Sequence, residues 1–392
     1  MAAAACGVES VSSESTGHLN YLDGLRCLAA LCVMLTHTFS IIYTPFLKAM
    51  VPWAMFARFS VDLFIVLSGF CLMLPVLRRN GEIRNGAIGF FKRRARRILP
   101  PYYGALALSL LLIWTLIGKP TGSSWDAALP VTSGNLATHL LLLQNVYGGC
   151  KINAPMWTVS VEWWIYFLFP ALVYLWLRFG ATVVTVSTLV VSYTCYFALA
   201  HTKLAGLTCH YVGLFALGMF SVAIVEGKGP KWLPVRESRS WILLAAIPII
   251  SNIVLRLHFG QGWANSNIGL VDFISGIGSA SLLVVISQNV EGPSRVMREA
   301  LSSRPLVALG TFAYSIYLMH FPLLQVIWQY GISHLHMSKP IALTALVAIG
   351  CPIAIGLCYL FHLTFELPFM VTRHSTKRAQ VVQTGVLAPV SQ

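Results

Sequence analysis

Arg26 and His37 stand eleven residues apart in one apolar stretch. At about 100° per residue an α-helix brings the pair within roughly 20° of one face and about 16 Å apart along its axis. One helical stripe therefore carries a guanidinium near its mouth and an imidazole deeper in, an anion partner and a group that exchanges protons near neutrality. Three further ionisable groups sit inside apolar stretches: Asp62, Glu162 and His320. Between two such stretches lies RRNGEIRNGAIGFFKRRARRILPPYY, with eight basic residues from Arg78 to Arg97 and Glu82 the sole acid. Arg93, Arg94, Arg96 and Arg97 share one helical segment. Guanidinium forks grouped in this way suit phosphate, which they bind bidentately. Anionic lipid headgroups offer the same chemistry, as does a polyphosphate ligand in the cytosol.

The elements that must hold these residues are membrane helices. The chain has 392 residues, 57% of them hydrophobic and only 10% charged, and its mean hydropathy is +0.72. A soluble domain carries about a quarter charged residues. Apolar runs bounded by turn and charge clusters place spans at 22–43, 57–77, 99–118, 156–177, 181–200, 208–225, 240–257, 269–288, 307–330 and 341–363. The stretch 136–146 is apolar but too short to cross, and reads as an interfacial or re-entrant piece. The expected fold is an all-α, polytopic transmembrane bundle of about ten spans over residues 21–370. Disordered tails are expected at 1–20 and 371–392.

An even span count puts both termini on one side. That side receives twenty of the 27 Lys and Arg residues and the other side seven, so the positive-inside rule places both termini in the cytosol. The net charge of +14 is then a matter of topology and of contact with membrane lipids, and nucleic acid is not an expected partner. The N-terminal residues lack the pattern of a cleavable signal peptide. The nine cysteines are scattered without a CxxC pair, so no metal site is expected. Cys195 and Cys209 both approach the external side. A charged side chain at the centre of a span costs about 3 kcal/mol on insertion scales, which makes the intramembrane groups functional candidates by default. His37, Asp62, Glu162 and His320 come out at comparable depth, in the external half. Depth does not say which helix faces are neighbours.

Taken together, YLDGLRCLAALCVMLTH (21–37), FSVDLFIVLSGF (59–70), FFKRRARRILPPYY (90–103), MWTVSVEWWIYFLFP (156–170), YSIYLMHFP (314–322) and FELP (365–368) resemble the membrane acyltransferase-3 family. Cys27 departs from the glycine common in that family after the Asp-Gly-x-Arg element. The resemblance implies transfer of an acyl group, usually acetyl from acetyl-CoA, to a hydroxyl of a sugar, lipid or small metabolite. It assigns His37 as the catalytic histidine with Arg26 as its partner, and the Arg94-x-x-Arg97 pair to the acyl-CoA, with Glu162 on the acidic position of its motif; Arg93, beside that pair, is read as gripping the CoA nucleotide with it. His37 would act as general base on the acceptor hydroxyl, oriented by Glu162 or by Asp62; a covalent acetyl-histidine is the variant route. His320 and Trp157 are candidates for acceptor binding, the acceptor being a hydroxylated small molecule, such as a secondary metabolite, or a glycan. Plasma membrane and endomembrane fit equally. The rival class is a secondary transporter or exporter, which also uses intramembrane His and Glu.

Overall fold

A computed structural model describes residues 19–41, 51–147, 151–230, 233, 238–288 and 292–370. The expected tails lie outside these apart from Leu19 and Asn20. Every regular element among the described residues is helical. The first three long helices are α1 (Asn20–Ile41), α2 (Val51–Arg78) and α3 (Gly86–Leu112), and a π-helical turn at Ile113–Ile117 extends the last of them. The short α4 (Ser133–Leu140) and α5 (Gln144–Tyr147) occupy the long connection. They correspond to the stretch read as too short to cross. Then come α6 (Trp157–Phe179), α7 (Ala181–Leu199), α8 (His210–Val225), α9 (Ser238–Ser266) and α10 (Ile268–Ser287), followed by the short α11 (Pro293–Leu301) and α12 (Arg304–Gly310). The chain closes with α13 (Ala313–Val326), α14 (Lys339–Ala345), α15 (Cys351–Phe361) and α16 (Leu367–Met370). Among the described residues nine helices are long and apolar enough to cross a membrane, or ten when α12 and α13, bent by 73° against each other, count as one span. Each coincides with one of the stretches read from the sequence.

The largest difference is at α3, which begins at Gly86 rather than near residue 99. The arginines and the third span are thus one continuous helix, so that every arginine's direction is fixed relative to the bundle. Pro100 and Pro101 lie inside it. Proline removes a backbone donor from a helix, and at α13 the consequence is visible: Pro322 leaves the Leu318 carbonyl without its helical partner, and Asn153 Nδ2 donates to it at 2.8 Å. The sharp bend of the ninth span falls instead between Gly310 and Ala313.

α1 and α2 form the centre. α1 packs on α2, α12 and α13, and α2 on α8 and α10, while α7 and α9 expose most of their surface as a peripheral apolar band. The α2–α8 crossing is closed by glycine from both sides. A Cβ on Gly218 would lie 1.9 Å from the Val66 carbonyl oxygen, and one on Gly69 would lie 2.1 Å from that of Phe215. Small residues let membrane helices approach to backbone contact. Cys195 and Cys209 are both free, with Sγ atoms 2.9 Å apart. Because backbone atoms cannot yield as a flexible side chain does, Gly218→Leu must part α2 from α8. The expected loss is about 1–3 kcal/mol or more, read as a lowered Tm of the detergent-solubilised protein.

Candidate active site

α1, α2, α3, α6 and α13 enclose a cavity of about 480 Å³. Its wall joins Arg26 of α1, Ser68 and Cys71 of α2, Arg94 and Arg97 of α3, Glu162 and Tyr166 of α6, Tyr314 and Tyr317 of α13, and Glu366 beyond α15. The first turn of α1 opens onto it through Leu22 and Asp23, so its mouth lies at the basic end of the bundle. Arg26 is held on both sides: Nη1 donates to Asp23 Oδ1 at 2.6 Å and Nη2 to Cys71 Sγ at 3.0 Å. Arg94 and Arg97 differ. Arg94 stacks over Phe90 at 6.0 Å and its buried Nε has no hydrogen-bond partner, and no hydrogen bond or ion pair among the described residues engages the exposed Arg97 guanidinium. Two cations with unused donors in one cavity have the chemistry to hold an anion.

Glu162 faces these cations from α6, one turn before Tyr166, and both residues bond across to α2. Ser68 Oγ donates to Glu162 Oε1 at 2.6 Å and lies 3.0 Å from Tyr166 Oη, which also donates to Glu162. Deeper in, Tyr317 packs edge-on against Phe64 with centroids 5.7 Å apart, and its hydroxyl lies 2.7 Å from Thr158 Oγ1. These side chains close the cavity.

His37 lies beyond that aromatic layer and does not line the cavity. Its Nδ1 is 2.8 Å from His320 Nε2, and the ring planes are within 11° of parallel. Phe321 packs on His37 at 4.8 Å, and the fully buried Trp125 packs on Phe321 at 4.7 Å. His320 is fully buried, whereas His37 keeps partial exposure.

The sequence candidates thus fall into separate groups. Arg26, Arg94, Arg97 and Glu162 share the cavity, and His37 meets His320, with neither Glu162 nor Asp62 hydrogen-bonded to it among the described residues. Asp62 is fully buried beside another cluster, where Arg58 Nε and Nη2 donate to the two Asp272 oxygens at 2.7 and 2.6 Å and His210 Nε2 lies 2.9 Å from Asp272 Oδ2. Arg93 turns out of the cavity and donates to the Arg84 carbonyl at 2.7 Å. Trp157 packs against Tyr211 at 6.0 Å, also outside the cavity. One residue without a role in the sequence reading is present: Glu366, 1% exposed, accepts from Ser315 Oγ at 2.5 Å and lies 2.8 Å from His362 Nδ1. Its position in FELP and its burial cost as a carboxylate were the available signals. Among the described residues no group of three or more His, Cys, Asp or Glu is placed to hold a metal ion.

The profile of the acyltransferase-3 family, described as an acyltransferase domain, matches residues 19–363. The chain belongs to this family and is an integral, multi-pass membrane protein. It is 22% identical over 338 residues to the peptidoglycan O-acetyltransferase OatA of Listeria monocytogenes, covering 77% of this chain and 49% of that protein. Nodulation protein 10 of Rhizobium leguminosarum bv. viciae is 26% identical over 193 residues, 45% of this chain and 51% of that one. Acyltransferase MdmB of Streptomyces mycarofaciens is 29% identical over 169 residues, 40% of this chain and 38% of that one. The chain spans about half the length of the curated relatives it matches. No solved structure matches it.

The two arginines with unused donors and the one that turns away make distinct predictions. Arg94→Ala and Arg97→Ala should each weaken binding of a pyrophosphate-bearing nucleotide about tenfold, measured by calorimetry in detergent, while Arg93→Ala changes it less than about twofold.

Proposed function

We propose that the protein is a membrane-embedded O-acyltransferase that moves an acyl group, acetyl in the simplest case, from acyl-CoA to an acceptor hydroxyl. The observation that carries this reading is the sequence of chemistries along one axis. An arginine-lined cavity at the basic end leads to an aromatic layer, with a histidine pair immediately beyond it. The basic end, with both termini, faces the cytosol, where acyl-CoA is available. Arg94 and Arg97 hold the phosphates of the nucleotide, and the pantetheine arm runs past Arg26 towards Tyr317. Glu162 keeps its bonds to Ser68 and Tyr166 and fixes the wall opposite the arginines. The transfer needs the Phe64–Tyr317 layer to part, so that the thioester meets His37.

His37 then acts as general base. As the acceptor oxygen attacks the thioester carbonyl, its proton passes to the imidazole. Collapse of the tetrahedral intermediate breaks the C–S bond, and the imidazolium returns the proton to the departing thiolate. The ester forms, CoA leaves as the thiol, and the histidine is neutral again. The acceptor enters from the opposite end, where His37 keeps its partial exposure. The names of the relatives support a glycan acceptor by way of peptidoglycan O-acetylation; a hydroxylated small molecule, such as a secondary metabolite, fits the same chemistry.

Purified protein in detergent, supplied with acetyl-CoA labelled in the acetyl carbons and an extract of the source cells, should place label on a hydroxylated product. His37→Ala, inserted and folded as the wild type, should lower the yield by about two orders of magnitude or more, the scale of general base catalysis. Equal labelling by wild type and His37→Ala would refute the assignment of the base. No turnover of acetyl-CoA by folded wild type would refute the donor.

A further inference from the structure

We propose that His320 is a positioning residue that fixes the tautomer of His37, leaving His37 Nε2 as the proton-accepting atom. The inference deepens the acyltransferase reading and rests on it for its catalytic consequence, but the tautomer itself follows from hydrogen-bond geometry. His320 Nδ1 lies 2.8 Å from the carbonyl oxygen of Ile316, one turn earlier on α13. A carbonyl oxygen only accepts, so the hydrogen is on Nδ1 of His320. A neutral imidazole has one N–H, and His320 Nε2 therefore presents a lone pair. His37 Nδ1 approaches that lone pair to 2.8 Å, and must be the donor. With its hydrogen on Nδ1, neutral His37 has its own lone pair on Nε2. The near-parallel ring planes, 11° apart, suit this bond, because both the N–H and the lone pair lie in their ring planes.

Each link of the chain is held from outside. Ile316 is in the regular part of α13, which keeps its helical course past Pro322 because Asn153 Nδ2 caps the orphaned Leu318 carbonyl at 2.8 Å. Phe321 packs on the His37 ring, with Trp125 behind it. The opposite tautomer of His37 would set two lone pairs against each other across 2.8 Å. When His37 takes the acceptor's proton it carries N–H on both nitrogens, and its bond to His320 becomes charge-assisted. The proton resides on His37 until it passes to the departing thiolate, and His320 remains neutral throughout. No carboxylate takes part, which separates this arrangement from a base oriented by Asp or Glu.

Two measurements test this. The first needs no activity: ¹⁵N spectra of protein labelled in histidine nitrogens, with His37→Ala and His320→Ala used to assign the signals. A neutral His37 protonated at Nδ1 in the wild type, reverting to the Nε2-protonated form in His320→Ala, is the expected result; a wild-type His37 protonated at Nε2 overturns the proposal. The second is a mutant cycle on turnover. His320→Ala should lower kcat about 30-fold or more while the acyl-CoA KM stays within about threefold, and adding His320→Ala to His37→Ala should cost less than about threefold more, since His320 acts only through His37. His320→Gln, which can offer Oε1 as an acceptor near the same point, should restore at least about tenfold. Additive losses, or an equal loss in the Gln variant, would make His320 a packing residue and overturn its positioning role. A wild type with the Nδ1 tautomer but no acyl transfer would refute the function and leave the histidine pair standing.

Discussion

A polar group in the hydrocarbon layer has no water to bond with, so a buried donor or acceptor is costly unless it is met from within the protein. The contact of His37 with His320 is the point on which that requirement and the proposed chemistry coincide. It ties α1 to α13, and the same bond disposes of one ring nitrogen on each side. Other polar contacts set its frame. Asp23 and Cys71 hold Arg26, Asn153 answers the carbonyl freed by Pro322, and Thr158 meets Tyr317.

The same constraint sorts the charges into two territories. On α2, Arg58 and Asp62 are one turn apart and share a face, whereas Ser68 lies six residues beyond Asp62, roughly 120° around the helix. The first face meets Asp272 of α10 and His210 of α8 in a buried ion-pair cluster. The second meets Glu162 and Tyr166 of α6 at the cavity. The Arg58–Asp272 and His210–Asp272 pairs tie α2, α8 and α10 together, with both Asp62 oxygens beside them left without a hydrogen-bond partner, while Arg94 and Arg97 keep unused guanidinium donors at the cavity. The glycine-closed crossing of α2 with α8 supports both, since it sets the rotation of α2 between them.

Much of this was legible in the chain. The spans could be read because their hydropathy is a local property of about twenty residues. The Arg26–His37 stripe could be read because helical periodicity relates residues on one helix. The motif order gave the family. The arginine cluster was legible as a group of cations on one helix, but not its division: Arg93 lies one residue from Arg94, about 100° around α3, and that rotation sends it to the Arg84 carbonyl. Trp157 read as a candidate for acceptor binding, and its packing on Tyr211, outside the cavity, could not be read from the chain. Glu366 was in view as part of FELP, yet its place beside Ser315 and in the cavity wall depends on α13 and the last span meeting.

The sequence by itself determined the membrane class, the spans and the family, because those follow from composition, from motif order and from spacing along single helices. The tertiary structure alone decided the partners. Four ionisable groups on four helices could pair in several ways, and only the packing of α1 on α13, and of α2 on α8 and α10, brought His37 to a second histidine and Asp62 to an arginine–aspartate cluster. Neighbour choice among antiparallel helices is set by which faces fit against one another, and that fit is a property of surfaces formed by residues far apart in the chain.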